Sequence, residues 1–537
     1  MDEVKESIGH RGTDRRVPWL SLSVLVLGAF MAILQGSAIN VALPQLMAVF
    51  NATPDEIQWV LTGYMLVTGV IIPVCGYLGD RFGYKRLYLL ALAVFIMGSA
   101  LSGFAWSVNS LVAARVIQAL GGGMIMPISM ALLYQLVPVE KIGTALGTWG
   151  LAMVVAPAIG PTLGGYLVEH FGWRLVFYVN LPVGALAIPL IALMLPETRR
   201  REGLRFDFPG FLLAVAGCFT LLLALSEGQD KGWGSQYIVT LLLSAGFTLI
   251  LFALWELIAP EPMLDVRLFL NPVLTVSTIA TGLAAVALFG GVFLVPLFTQ
   301  TVQGYSALQT GLILMPAALV SGLVMPFAGR LFDRVGAVPL GVTGLGIVAV
   351  TTYMLHNLTI DLPARHLQYI LAVRSAGLGL CMMPLTTAGM NTVPVHLVGR
   401  ASALTNTIRQ IAASFGIALM THILETRQAF HAARLAEAVS LGSPAAVVQQ
   451  MAQSATRGGG GSGQAITAAD LVMALQKQAT VNGMSDAFLV AAALAAATIP
   501  LVLFLGRKQV ERQRKREAMR WGTSPGPVRA VPAADAR

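Results

Sequence analysis

Long apolar segments separated by short polar ones follow one another through almost the whole chain. A helix that spans a membrane needs about 20 largely apolar residues, and fourteen runs of that length can be marked. They lie at approximately 19–42, 57–78, 87–107, 109–136, 142–168, 173–195, 208–226, 236–258, 272–299, 307–329, 336–356, 366–390, 400–423 and 486–506. The pattern predicts an all-α integral membrane protein with fourteen transmembrane helices. An even number of crossings places both termini on one side.

One polar segment between two of these runs occurs twice. GYLGDRFGYKR at 76–86 returns as GRLFDRVGAVP at 329–339, and the matched residues are Gly76, Asp80, Arg81 and Gly83 in the first copy and Gly329, Asp333, Arg334 and Gly336 in the second. A duplicated helical half is a common plan of membrane transporters. The spacing divides the fourteen helices into six, two and six, so the runs at 208–226 and 236–258 are inserted between the halves.

The repeat and the apolar runs together predict five regions. They are a tail at 1–18, a six-helix bundle at 19–200, two inserted linking helices at 201–262, a second six-helix bundle at 263–507 and a basic, partly disordered tail at 508–537. The second bundle contains a long external loop at 424–485. In this loop, helix-prone Ala-rich stretches flank the flexible tether GGGGSG at 458–463.

Composition and charge agree with a membrane protein. Only 11% of the 537 residues are charged, 56% are hydrophobic, and the mean hydropathy is +0.74, whereas about a quarter of a soluble domain is charged. The basic residues concentrate in the N-terminal tail, the 76–86 segment, the run at 199–201 and the tail after residue 506. The positive-inside rule therefore predicts cytoplasmic termini. The net charge of +9 is a topology signal, reinforced by contact with anionic membrane lipid, and we expect no nucleic-acid partner.

Three arginines lie inside apolar runs. They are Arg115, with Gln118, in the fourth run, Arg374 in the twelfth, and Arg409, with Gln410, in the thirteenth. An arginine at the bilayer centre costs at least about 2.5–3.5 kcal/mol on insertion scales, so it marks a functional site that has a partner. The sequence leaves two interpretations open, a substrate or proton pathway and static hydrogen bonds that order the bundle.

The two Asp-Arg segments are candidates for a conformational hinge. Asp80 and Asp333 lie at helix ends, where a carboxylate pairs with a nearby arginine, such as Arg81 or Arg86, or with a helix N-terminus. Such a latch has to break when the two halves rock. The alternative is a solvated loop charge.

The fifth run combines kinks with small residues. Pro157 and Pro161 flank a stripe formed by Gly160, Gly164 and Gly165. Small residues at this spacing let two helices approach closely in lipid. The stripe is either plain packing or a contact that seals the outer path in one state and slides in the other.

Several segments resemble motifs of the major facilitator superfamily. The 76–86 segment resembles the loop signature of this superfamily. INVALP at 39–44 resembles the end of its first helix, and RVIQALGGG at 115–123 resembles its fourth-helix motif. APAIGPTLGGYL at 156–167 and WRLVFYVNLPVG at 173–184 resemble the antiporter motif and its continuation. EGQDKGWGS at 227–235 between the two additional helices, and NTIRQ at 406–410, are similar to the fourteen-helix drug:proton antiporter family (EmrB/QacA-like). The resemblance implies the major facilitator fold and multidrug efflux.

The first helix departs from the family pattern. The family usually carries an aspartate nine residues before the proline that is here Pro44, and this chain has Gln35 at that position. No Asp or Glu lies in the middle of any run, and the nearest acids are peripheral: Glu227, Asp230, Glu256 and Asp486. A relay needs a group that titrates, so the usual coupling site is in question. Gln35 and Asn40 are assigned to the substrate pathway with Arg115, which lies at a similar depth to Gln35.

The leading hypothesis is a secondary active transporter that exports amphipathic organic compounds across the cytoplasmic membrane of a bacterium, driven by protons. The alternatives are an exporter or facilitator of a metabolite, lipid or siderophore without proton exchange, and a receptor or scaffold on a transporter fold. No nucleophile–base pair or phosphate loop indicates an enzyme. The three cysteines, Cys75, Cys218 and Cys381, all lie in apolar runs and indicate neither disulfide nor metal site, and we expect no cofactor. A periplasmic adaptor protein and the oligomeric state stay open.

Overall fold

The computed structural model describes residues 19–138, 141–198, 200, 203, 206–441 and 468–520, and its regular structure over these residues is helical. The helices are α1 Trp19–Phe50, α2 Glu56–Phe82, α3 Tyr84–Gly103, α4 Val108–Leu136, α5 Ile142–Phe171, α6 Arg174–Met194, α7 Phe208–Lys231, α8 Gln236–Ile258, α9 Pro272–Val302, α10 Ala307–Val335, α11 Ala337–Asn357, α12 Ala364–Met390, α13 Val398–Leu441, α14 Ala468–Leu503 and α15 Arg507–Arg520. Thirteen are long and apolar enough to cross a membrane, and α5, bent by 44° next to Pro157, makes a fourteenth. The prediction of an all-α membrane protein is confirmed.

The internal repeat extends to the way its helices begin and end. Thr53 caps the turn that leads into α2 through a capping box with Glu56, and Ser306 caps α10 through the same arrangement with Gln309. At the other end, Gly83 and Gly336 stop α2 and α10 with φ of +88° and +87°. A positive φ is strained for residues with a side chain, so glycine at these two turns lets α3 and α11 start immediately.

Successive helices cross the molecule in opposite directions, so their ends form two faces. The terminal face carries Phe82, Arg334 and Arg507, and there Arg507 Nη1 donates a hydrogen bond to the Arg334 carbonyl oxygen at 3.1 Å. The distal face carries Lys231, Asn357, the end of α13 at Leu441 and the start of α14 at Ala468. The described chain therefore begins and ends on the terminal face.

The helices form two bundles of six and one inserted pair. In the first bundle α1 lies along α5 and α3 along α4, and in the second α9 lies along α13 and α11 along α12. Helices α7 and α8 pack mainly on each other, and α7 also contacts α2 and α13. The two bundles meet where α5 runs along α10 and where α2 and α4 meet α13. This is the predicted architecture of two six-helix bundles plus two inserted helices.

Helix α13 continues well past the predicted end of its apolar run. It extends to Leu441, and α14 already begins at Ala468, so both flanks of the predicted 424–485 loop are helical. Asp486 on α14 joins the two helices through Arg427 Nε at 2.5 Å and His431 Nε2 at 2.9 Å. Outside the described residues lie the tether at 458–463, the tails at 1–18 and 521–537, and Arg199, Arg201 and Arg205.

Candidate functional site

Five buried polar side chains form a continuous hydrogen-bonded chain through the first bundle. Arg115 Nη1 on α4 donates to Gln118 Oε1 at 2.6 Å, and Gln118 Nε2 donates to Ser99 Oγ on α3 at 2.5 Å. Asn180 Nδ2 on α6 lies 3.0 Å from the same Ser99 Oγ and 2.6 Å from Gln35 Oε1 on α1. Arg115 and Gln35 therefore do not touch, but three intervening side chains connect them.

The Arg115 guanidinium is enclosed on its remaining sides by α2. Its Nε donates to the Val60 carbonyl oxygen at 3.3 Å, and its Cζ lies 4.0 Å from the centre of the Tyr64 ring. Only 1% of the Arg115 surface is exposed. Hydrogen bonds and the face of an aromatic ring compensate a buried cation, so no carboxylate is needed to hold this charge.

At the other end of the chain, Gln35 is incompletely paired. Its Oε1 accepts from Asn180, whereas its Nε2 finds no hydrogen-bond partner among the residues that the structure describes. A buried donor without a partner costs about 1–3 kcal/mol. The amide is therefore a buried donor whose hydrogen-bonding capacity is not used in this structure. Asn40, further along α1, is exposed and is not part of this series of hydrogen-bonded side chains.

Arg374 takes a similar position in the second bundle. Its Nε donates to Thr352 Oγ1 on α11 at 3.1 Å, and its Nη2 donates to the Ala287 carbonyl oxygen on α9 at 3.0 Å. Gly291 on α9 leaves the space that the guanidinium occupies, since a Cβ there would overlap it. Arg374 thus connects three helices of one bundle. This agrees with the interpretation that static hydrogen bonds of a buried arginine order the bundle.

Arg409 belongs to the contact between the bundles. It donates to Asn406 Oδ1, and Asn406 Nδ2 donates to the Ser402 carbonyl oxygen at 2.8 Å. Ser402 Oγ in turn donates across the interface to the Pro127 carbonyl oxygen on α4 at 2.9 Å. Gln410 is half-buried beside α2, where a Cβ at Gly69 would lie 3.9 Å from its Cγ.

At the terminal face, Asp80 forms a buried ion pair with the opposite bundle. Its Oδ2 lies 3.2 Å from Arg400 Nε on α13, both side chains are 6% exposed, and Tyr84 donates to Oδ1 at 2.7 Å. Gly76 lets the helices approach, since a Cβ there would lie 3.0 Å from Arg400 Cα. The partner of Asp80 is thus Arg400, which sequence reasoning missed.

The arginines named with Asp80 in the sequence point elsewhere. Arg81 Nη1 donates to the Tyr77 hydroxyl at 2.6 Å, and Arg86 Nε lies 3.5 Å from Glu197 Oε2. The signal that would have identified Arg400 is its place directly after Gly399 at the start of the thirteenth run.

Asp333 makes the matching contact from the second bundle to the first. Its carboxylate accepts from the Gly143 backbone N–H at 3.2 Å and from Thr144 Oγ1 at 3.1 Å, at the N-terminus of α5. A carboxylate is stabilised there by the free N–H groups and the helix dipole. The repeated aspartate of each bundle therefore docks on the first turn of the fifth helix of the other bundle.

The small residues of α5 divide between two neighbours. Gly164 faces α1, where a Cβ would lie 2.7 Å from the Ala38 carbonyl oxygen, and Gly160 lies against Ser37. Gly147 instead faces α10, where a Cβ would lie 2.5 Å from the Met325 carbonyl oxygen. The Gly160 and Gly164 stripe thus packs within the first bundle, next to Pro157 and Pro161 at the bend. Gly165 has more room, with Val41 Cγ1 at 3.7 Å from its Cβ position.

The peripheral acids lie away from this polar chain. Glu256 is fully buried at the terminal end of α8, where its Oε1 accepts from the Leu264 backbone N–H at 3.2 Å. Asp486 is paired with Arg427 and His431. Glu227 and Asp230 lie at the distal end of α7 beside a cavity of about 270 Å³. None of the four acids contacts Gln35 or Arg115.

Known proteins resemble the chain over most of its length. The Major Facilitator Superfamily model matches residues 25–417. The MFS-type transporter YhcA of Bacillus subtilis (strain 168), itself uncharacterised, is 38% identical over 427 residues, 80% of this chain and 80% of that protein. The multidrug export protein EmrB of Haemophilus influenzae is 33% identical over 425 residues, 78% of this chain and 83% of that protein.

A solved structure shows the same fold without close sequence similarity. The crystal structure of the human organic anion transporter MFSD10 (TETRAN) matches with a TM-score of 0.59 at 14% identity, covering 91% of this chain and 100% of that one. At this identity the likeness concerns the arrangement of helices alone.

Proposed function

The chain belongs to the Major Facilitator Superfamily, and we propose that it is a secondary active transporter that exports amphipathic organic compounds from the cytoplasm by alternating access. The family is one of transporters, and the name of the Haemophilus influenzae relative is that of a multidrug export protein. The proposal extends multidrug export from that relative to this chain.

The observation that carries alternating access is the pair of reciprocal contacts at the terminal face. Asp80 reaches Arg400 and Asp333 reaches the start of α5, so each bundle closes the path by binding the other. Ion pairs and helix-end contacts are discrete interactions that exist in one arrangement and break in another, as rigid-body rocking requires. The terminal face is closed in this structure.

We assign the terminal face to the cytoplasm and the membrane to the bacterial cytoplasmic membrane. The support is the density of Arg and Lys in the tails and in the segments that lie on this face. A cysteine placed in the tether at 458–463 should react with a membrane-impermeant thiol reagent in intact cells. A cysteine at 202 or 520 should react only after lysis, and labelling of 520 in intact cells would overturn the assignment.

The proposed substrates are neutral or weakly acidic amphipathic molecules. The buried chain from Gln35 to Arg115 offers amide groups and a guanidinium but no carboxylate, and a cation buried beside Arg115 would be disfavoured by both desolvation and repulsion. Glutamine does not titrate, so proton exchange that drives export has to use an acid other than residue 35.

Reconstitution tests the function and its energy source together. Purified protein in liposomes is given a panel of neutral, acidic and quaternary ammonium dyes, with and without an imposed pH gradient, and dye movement and lumenal pH are followed. We expect transport of neutral and weakly acidic dyes that accelerates with the gradient. Absence of movement for every dye class would contradict export of amphipathic compounds.

Gln35 favours one second candidate function, an exporter or facilitator of a metabolite, lipid or siderophore that exchanges no proton. The same liposomes distinguish the two functions. Transport that ignores the pH gradient and releases no proton supports the second candidate, whereas acidification or alkalinisation of the lumen in step with dye movement supports proton antiport.

A further inference from the structure

The inserted helix α7 occupies the gap between the bundles on one side of the molecule. At the terminal face α2 and α13 touch directly, through Gly76 and Asp80 against Arg400. Towards the distal face the two helices separate, and α7 lies between them. A Cβ at Gly69 on α2 would already overlap Leu222 of α7.

Helix α7 is attached to α2 of the first bundle by a buried apolar contact. Leu66 of α2 and Leu222 and Leu223 of α7 form one buried cluster. Closer to the distal face, the hydroxyl groups of Thr62 and Ser226 lie 3.3 Å apart. Burial of these leucine side chains removes their apolar surface from water, so this attachment is strong.

Near the distal face, the contacts that join α7 and the turn after it to α13 of the second bundle are polar and exposed. Gln229 Nε2 donates to Glu425 on α13, and the Trp233 ring meets the His422 ring edge-on with centroids 6.0 Å apart. Trp233 Nε1 also donates to Gln229 Oε1 at 3.0 Å, which orients the amide towards Glu425. Water competes for an exposed hydrogen bond, so this contact is weaker than the buried leucine cluster and is the one expected to break first.

The opposite side of the molecule needs no such helix. There α5 and α10 remain in direct contact from the terminal face, at Gly143 and Asp333, to the distal half, where a Cβ at Gly311 would overlap Thr162. The distal gap between the bundles is therefore bridged directly on one side and by α7 on the other.

We propose that α7 is a strap that closes the distal path between α2 and α13, remains attached to α2 and releases α13 when the path opens. The strap proposal rests on the proposed function in one respect: the opening of the distal path is taken to serve transport. Gln229 and Trp233 are then positioning residues of the cycle: they hold the strap shut and touch no substrate.

Cross-linking with a matched control tests the strap. One variant carries Gln229→Cys with Glu425→Cys across the breakable contact, and the control carries Thr62→Cys with Ser226→Cys across the permanent one. Each pair is closed by mild oxidation to a disulfide. The single cysteine of Gln410→Cys, between the bundles, has no introduced partner, stays a free thiol and reports accessibility. The three native cysteines are buried, so protein without introduced cysteines controls for background.

This accessibility measurement needs no transported substrate. The rate at which a membrane-impermeant thiol reagent labels the cysteine of Gln410→Cys is measured by peptide mass spectrometry, with each pair oxidised and with each pair reduced. We expect the 229–425 bridge to slow labelling at least tenfold and the 62–226 bridge to leave it unchanged. Equal labelling with and without the 229–425 bridge overturns the strap, as does equal slowing by both bridges or a reporter that never labels without a bridge.

Transport measured on the same cysteine pairs without Gln410→Cys separates the two proposals. Loss of transport with the 229–425 disulfide, recovered when that disulfide is reduced, supports the strap and the function together. If labelling responds as expected but no dye of the panel is moved by the native protein, the function is wrong and the strap stands.

Discussion

At the residue scale, Asp80 is a buried charge whose partner belongs to the other bundle. Asp80→Asn keeps the shape and the acceptor for Tyr84 but removes the counter-charge of Arg400. A hydrogen bond between charged groups contributes about 1.5–3 kcal/mol, so the closed terminal contact should weaken by a factor of about ten to a hundred. We expect membrane expression to persist and the turnover measured in liposomes to fall at least tenfold.

Two further variants make this prediction specific. Asp333→Asn should be milder, because the amide oxygen in the place of Oδ1 still accepts from the Gly143 N–H, and the amide nitrogen in the place of Oδ2 can donate to the Thr144 hydroxyl. Asp80→Asn combined with Arg400→Gln replaces the ion pair by a neutral pair and should recover part of the turnover. Unchanged turnover in Asp80→Asn alone would show that the ion pair with Arg400 is not needed for the transport cycle.

Arg115 is the second residue at which one substitution is informative. Arg115→Leu keeps much of the volume but removes the donors to Gln118 and the Val60 carbonyl and the charge over Tyr64. We expect export to be abolished while the amount of detergent-extracted, monodisperse protein stays within about twofold. Normal transport by Arg115→Leu would show that the cation takes part in neither substrate binding nor a relay.

At the element scale, the glycines of α5 allow a paired test of close packing. A Cβ on Gly164 would press on the Ala38 carbonyl oxygen at 2.7 Å, whereas one on Gly165 meets only Val41 at 3.7 Å. Overpacking costs about 1–3 kcal/mol, and alanine favours a helix interior by up to about 1 kcal/mol over glycine. Gly164→Ala should therefore lower the Tm of the purified protein, and Gly165→Ala should leave it unchanged or raise it. A Tm that falls equally in both would contradict the assigned packing.

The helices themselves were predictable because each depends on a local pattern. Every apolar run became a helix, and the repeated Gly and Asp-Arg segments became matching turns at Gly83 and Gly336. The contacts between elements were not predictable in the same way. Asp80 and Arg400 are 320 positions apart, and their pairing depends on how the bundles dock, which no short pattern encodes.

Single polar residues within the apolar runs indicate part of the buried hydrogen-bonded site. Asn180 and Ser99 complete the buried chain between Gln35 and Arg115, yet each looks unremarkable because one amide or hydroxyl is tolerated in a spanning helix. The apolar run predicted α13 only as far as residue 423. The Ala-rich composition beyond it indicated helix but not that this helix continues α13 to Leu441, and there Asp486 of α14 pairs with Arg427 and His431.

At the scale of the whole molecule, the duplication is preserved at one face and modified at the other. Asp80 and Asp333 make reciprocal contacts between the bundles at the terminal face. On the distal face the symmetry is lost, because α7 fills the gap between α2 and α13 while α5 and α10 touch directly. An inserted helix pair without a counterpart in either repeat thus changes one of the two interfaces between the bundles.

Charge selectivity is the property of the whole transporter that depends most on Gln35. A carboxylate at this position would compensate the desolvation of a cationic substrate and exchange it for a proton, and the buried chain that links residue 35 to Arg115 has no such group. Gln35→Asp should therefore shift preference towards quaternary ammonium dyes and steepen the response of transport to an imposed pH gradient. Gln35→Asn, which stays neutral, should do neither, so it separates the effect of charge from that of the shorter side chain.

The native protein should export neutral and weakly acidic dyes better than ethidium-like monocations, and robust proton-coupled export of such monocations by the native protein would contradict this reasoning. In that event another acid carries the proton, and neutralising Glu227, Asp230, Glu256 and Asp486 one at a time would identify it.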